Sequence, residues 1–96
     1  MKYSFHPAAE NELYQAVNYY NRCQDNLGLE FAKEVYSSIQ SILAFPQTWT
    51  PLSKNTRRGL VNRFPCGIIY NLSEKEIFLI ALIQLNKKPG YWKSRL

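Results

Sequence analysis

Two stretches of the sequence carry side chains able to act on an anion. Arg57, Arg58 and Arg63 fall close together, and Lys87, Lys88, Tyr91, Trp92, Lys93 and Arg95 follow near the end. Arg and Lys neutralise phosphate, Arg with a forked geometry. Tyr and Trp stack on unpaired bases. Arg57, Arg58, Lys88, Lys93 and Arg95 are therefore candidates for binding a target or a nucleic acid. Tyr91 and Trp92 have a second reading, as apolar anchors that pin this stretch on the core. For Trp92 burial is the expected role.

Other chemistries find little support. His6 is the only histidine and directly precedes Pro7, so a structural role at a helix N-terminus is expected rather than a nucleophile's base. Glu10 and Glu12, at i and i+2, diverge on a helix surface and are not expected to form a catalytic pair. No phosphate-cradling glycine loop occurs. Cys23 and Cys66 lack CxxC spacing, so neither a metal nor a cofactor is expected.

The net charge of +5 conceals an asymmetry. Residues 1–50 hold three cations and five anions, a net of −2; residues 51–96 hold nine cations and two anions, a net of +7. The positive field of the second half suits phosphates or an acidic protein partner. The 96 residues fit one domain, 1–96, and the 46% hydrophobic content argues against disorder. The opening residues lack the apolar region of a signal peptide, and the longest apolar run, "IFLIALI", suits a buried strand rather than a membrane span. A cytoplasmic protein with reduced cysteines is expected.

The elements that position these groups follow from periodicity. "KYSFH" alternates as a short strand. Pro7 suits the first turn of a helix whose stripe is Ala9, Leu13, Ala16, Val17 and Tyr20. Gly28 is the expected turn into a second helix, with Phe31, Val35, Ile39 and Ile42 on one side and a stop before Pro46. "PQTWTPLSKNT" reads as loop. "RRGLVNRF", "CGIIYNL" and "EIFLIALIQL" read as three strands, the last two a hairpin about "SEK". The last strand is apolar on both faces and should sit centrally. The expected fold is α+β: an antiparallel sheet with an N-terminal helical hairpin packed on one face, in the order β-α-α-β-β-β.

The stretches "FHPAAENEL", "AVNYY", "LGLEFAKEV", "FPQTW", "RRGLVNRFPCGIIY" and "PGYWKSRL" together resemble the RelE/ParE superfamily of toxins from type II toxin–antitoxin modules, in the branch labelled plasmid-stabilisation proteins. The resemblance runs from end to end and implies the same element order. It implies a bacterial toxin that slows growth and is held silent by a cognate antitoxin, through which alone it would contact DNA. No membrane role is implied. A ParE-like member poisons DNA gyrase; a RelE-like member cuts mRNA on the ribosome without metal.

Were the chain a nuclease, Arg63, Lys87 and Tyr91 stand where the motif places catalytic groups. The sequence departs from that pattern at Gln84 and Asn86, where histidines are usual, at Lys87 and Gly67, where arginine is usual, and at Cys66, where an aromatic is common. An amide cannot shuttle protons near neutral pH as histidine does. A gyrase inhibitor needs no acid–base pair, and this favours the ParE-like action. A third possibility is a degenerate member that keeps only antitoxin binding or RNA affinity. Tyr19 and Tyr36 are the aromatic candidates for antitoxin binding beside the helical hairpin. Arg58, Arg63 and Lys87 are expected to converge on one concave patch framed by the two helices.

Overall fold

The computed structural model describes residues 1–86 and 90–96. Strand β1 (Lys2–Phe5) leads into helices α1 (Pro7–Cys23) and α2 (Leu27–Ala44). Strands β2 (Thr50–Pro51), β3 (Thr56–Leu60), β4 (Cys66–Leu72) and β5 (Glu76–Gln84) follow, and a 3-10 helix spans Tyr91–Arg95.

Pro7 opens α1, where the missing N–H is one the helix does not need. His6 caps it: its Nδ1 accepts the Ala8 N–H at 3.0 Å. The α1 stripe buries Ala9, Leu13 and Ala16, and α2 buries Phe31, Val35, Ile39 and Ile42. Tyr20 closes the hairpin, its ring centroid 4.9 Å from those of Phe31 and Phe64. The expected turn at Gly28 lies elsewhere. Asn26 makes it in the left-handed conformation, φ 66°, and Gly28 already belongs to α2. Asparagine tolerates that region because its short side chain bonds locally. Gly28 instead sets how closely the helices approach: a Cβ there would run into the Val17 carbonyl and the Asn21 side chain, and its N–H donates to Asn21 Oδ1 at 2.8 Å.

The sheet order is β1-β5-β4-β3-β2. β2 to β5 form the expected antiparallel meander, but β1 lies parallel to β5, so the sheet is mixed. β4 is the middle strand and β5 its inner neighbour, with one more strand than expected. That strand, β2, arises because Arg57 donates to the Gln47 and Trp49 carbonyls at 2.9 and 2.7 Å, and the Tyr70 hydroxyl donates to the Pro46 carbonyl at 2.6 Å. These bonds hold the 46–51 segment against β3. The stretch after β3 is a turn rather than a continuing strand, with Arg63 at φ 72°.

The helices cover one sheet face, over Cys66, Ile68, Tyr70, Ile77, Leu79 and Leu82. The other face carries a smaller cluster of Ile69, Ile80, Ala81 and Trp92. Trp92 is therefore the buried anchor its type suggested.

Replacing Gly28 by Ala is expected to cost about 1–3 kcal/mol, the range for over-packing a fitted contact. Urea unfolding checks it: the midpoint falls and the slope stays the same.

Candidate functional site

The local problem is an unfinished edge. β1 pairs with β5 only as far as Phe5 opposite Leu79, with one further bond from the His6 N–H to the Leu79 carbonyl at 2.8 Å. On that outer edge the remainder of β5 has no strand beside it among the described residues. A bulge falls here: Tyr70 pairs with Leu79 and Ile69 with Ala81, so Ile80 is the extra residue. Beyond the bulge the even-numbered residues of β5 point their main-chain groups outward. Unpaired backbone groups away from water are costly.

Glu12 and Arg95 satisfy two of them. The Leu82 N–H donates to Glu12 Oε1 at 3.1 Å, and Arg95 donates to the Ile80 carbonyl at 3.0 Å. The two side chains also pair with each other, at 2.9 Å to Glu12 Oε1 and 3.2 Å to Oε2. The Tyr91 hydroxyl donates to Glu12 Oε2 at 2.9 Å, and the Arg95 guanidinium lies 5.3 Å from the Tyr91 ring centre. A carboxylate and a guanidinium thus replace the carbonyl and N–H of a missing strand. Both are partly buried, with side-chain exposures of 20% for Glu12 and 16% for Arg95.

This arrangement fixes protonation. Burial, reinforced by the hydrogen bond to Glu12, raises the Tyr91 hydroxyl far above the usual tyrosine range. The bond to Glu12 likewise raises Arg95. Burial pushes the Cys66 thiol up to about 12 and the Tyr70 hydroxyl up to about 12, so both stay neutral. Cys23 is exposed, and both cysteines are free.

The cations are not gathered into the shared patch expected of them. Arg57 faces the helices and is spent on the 46–51 segment. Arg58 lies on the opposite face over Gly67, where an added Cβ would stand 3.4 Å from its Cγ and Cδ. Its Nε is buried without a partner among the described residues. Arg63 reaches Glu30 at 3.2 Å and Glu34 at 3.6 Å on α2, and lies over the Phe64 ring. Such exposed pairs add little stability, but they aim the guanidinium at the helices. Arg95 is the buried partner of Glu12. Lys93 is exposed, and Lys87 and Lys88 lie outside the described residues. The expected convergence of Arg58 and Arg63 is corrected: strand alternation puts Arg58 on the face away from the helices, and the turn at Arg63 aims its guanidinium at α2.

What the fold does assemble is a cleft of about 810 Å³ between α1 and the outer end of β5. Glu12, Gln15, Ala16, Tyr19 and Tyr20 line it from α1; Leu82, Gln84, Asn86, Pro65 and Tyr91 line it from the other side. It unites Tyr91 with Tyr19 and with the amides at 84 and 86. Tyr36 is half exposed on α2 and is not part of it. In the sequence Glu12 reads as a diverging surface carboxylate, and its place at the β5 edge differs from that. The available signal was the arrangement of acid, tyrosine and arginine at the two ends of the chain. Among the described residues no group of His, Cys, Asp and Glu is placed to hold a metal, and no helix is long and apolar enough to cross a membrane.

The sequence matches no family model and no curated protein. A chain of the solved structure described as "Chromosomal ParDE TA system from P. aeruginosa" superposes with a TM-score of 0.77 at 12% identity, over 90% of this chain and 97% of that one. The chain has a RelE/ParE-type fold. At that identity the likeness is one of architecture. In this RelE/ParE-type fold the cleft lies where helix α1, the bulged strand and the C-terminal 3-10 helix meet.

Removing the Glu12 carboxylate leaves Arg95 without its counter-charge and the Leu82 N–H without an acceptor in a partly buried setting. Glu12→Ala is expected to destabilise the fold by about 2–3 kcal/mol, read as a lowered urea midpoint. The folded state holds the protons of Tyr70 and Tyr91 more tightly than the unfolded chain does. Stability is therefore intact below the ordinary tyrosine pKa, about 10, and declines as pH rises from there through 12. A base titration should show these tyrosinate bands appearing only with unfolding, and Tyr91→Phe should make the alkaline loss shallower.

Proposed function

We propose that residues 1–96 form the toxin domain of a type II toxin–antitoxin pair, silenced in the cytoplasm by a cognate antitoxin. We further propose that it acts on DNA gyrase as a ParE-like binding module and touches DNA only through the antitoxin. The fold shared with the ParDE structure supports the general reading. One observation carries the preference for gyrase: the Tyr91 hydroxyl is committed to Glu12 and held neutral. Metal-free RNA cleavage by the 2′-hydroxyl needs one group to take a proton and another to return it. Tyr91 is a poor base in this setting, Arg63 is aimed at α2, and Gln84 and Asn86 do not titrate. A binding module needs none of these.

Of the candidate target-binding cations, Arg58 and Lys93 have no ion-pair partner among the described residues; Lys88, also a candidate, lies outside them. Tyr19 and Tyr36 offer exposed rings to the antitoxin. RelE-like cleavage of mRNA is the second reading.

Induction of the chain alone is expected to arrest growth, and co-expression of the protein encoded beside it to relieve the arrest. Purified chain should block supercoiling by gyrase while primer extension finds transcripts intact. Codon-positioned cuts with normal supercoiling would instead support the nuclease. Normal growth and no binding of the neighbouring protein would remove the toxin reading.

A further inference from the structure

Helix α1 has a side that neither the core nor the cleft uses. Ala9, Leu13 and Ala16 are buried, and Glu12, Tyr19 and Tyr20 turn toward the cleft. On the side away from both stand Asn11, Tyr14, Asn18 and Arg22, at spacings of three, four and four, all exposed. No charge occurs along α1 between Glu12 and Arg22. The solvent side of a helix ordinarily carries charged residues, as α2 does with Lys33. Tyr14 lies within this line at 59% exposure. Among the described residues its ring has no aromatic neighbour. Tyrosine present, with lysine and glutamate missing, is the composition of a protein interface rather than of open surface.

We propose that this side of α1 packs on the same side of a second copy of the chain, antiparallel about a two-fold axis. A carboxamide carries both donor and acceptor, so Asn11 and Asn18 can bond to their own counterparts or to the Tyr14 hydroxyl. A row of lysines would repel its copy instead. The two ends of the line carry opposite charges: Glu10 lies in the first turn of α1 and Arg22 in the last. Neither has an ion-pair partner among the described residues. An antiparallel pair brings Glu10 of each copy to the Arg22 end of the other, and it opposes the two helix dipoles. Ala16 is midway between Glu10 and Arg22, and also midway between Tyr14 and Asn18. The axis that matches the charged ends therefore sets the Tyr14 ring of one copy against Asn18 of the other. A partner recognised by charge would find nothing to hold between those ends.

The surface is one helix of 17 residues, about 25 Å long and about 10 Å across. That is well below the roughly 800 Å² per partner of a standard interface, so the pair is weak and depends on concentration. Ala16, Tyr19 and Tyr20 line the cleft from the other side of the helix, so each copy keeps its cleft open. Two clefts are then presented together, and a partner that is itself two-fold gains by holding both.

Sedimentation equilibrium of the full chain from about 10 μM to about 1 mM tests this. The wild-type chain is expected to pass from monomer toward dimer over that range. Asn18→Lys sets like charges beside the axis and is expected to weaken the dimer about tenfold or more. Glu10→Lys and Arg22→Glu are each expected to weaken it about threefold, and the two together to restore it, because the end pairs re-form with their signs exchanged. If a variant proves less stable to urea, the wild-type chain decides. Cys23 is exposed and Cys66 buried, so a nitroxide attaches at Cys23 alone. Mixed with an isotope-labelled copy, it should broaden the amides of Ala9 and Asn11 in that copy. A chain that stays monomeric, a dimer indifferent to Asn18→Lys in a stably folded variant, or no broadening near Ala9 would overturn the inference. Two charge reversals that add rather than cancel, or broadening centred on residue 23 instead, would overturn the antiparallel arrangement. A monomeric wild-type chain whose binding of the protein encoded beside it is abolished by Asn18→Lys would assign this side to that partner and overturn the choice of a second copy. The toxin reading stands under each of these results.

Discussion

The fold turns on one constraint: β5 is longer than the strand beside it. β1 covers the first half of its outer edge, and the second half must be satisfied by something else or left open. A bulge at Ile80 re-aims the main chain, and Glu12 and Arg95 then supply an acceptor and a donor where a strand would have done so. The same two side chains seat Tyr91 and, through the 3-10 helix, bring Trp92 down on the far face of the sheet. Helix, strand edge and C-terminal segment are thereby joined at one polar knot.

That knot changes the meaning of the basic second half. A surplus of cations in the sequence suggests a surface field, yet several are consumed inside the molecule. Arg57 organises the segment that contains β2, Arg95 completes the β5 edge, and Arg63 leans on the acids of α2. Each has a donor geometry that lysine would not reproduce as well. The cations left over are largely lysines, the residue better suited to loose attraction than to fixed recognition.

The helices, the meander and the buried Trp92 were legible because they follow from local periodicity and residue size. The α2 stop before Pro46 and the two strands about "SEK" were legible for the same reason. The parallel β1, the two-residue β2 and the place of Asn26 were not, because they depend on where distant backbone groups need partners. The candidate site was less legible still. Glu10 and Glu12 look alike in sequence, and only the unpaired end of β5 distinguishes them. Strand alternation also separated Arg57 from Arg58 onto opposite faces, although they are adjacent in sequence. In sequence the amides at 84 and 86 stand out for what they lack as proton shuttles, whereas their place in the fold is a cleft wall.

The bond between Glu12 and Arg95 spans 83 positions of sequence. During synthesis the carboxylate emerges well before the guanidinium. Until then α1 presents an unanswered acid, and the outer end of the most apolar strand is unsealed. A long loop must close before the contact rewards it, which makes such contacts slow to form. The nascent chain therefore passes through a period in which the outer end of β5 is made but not yet sealed.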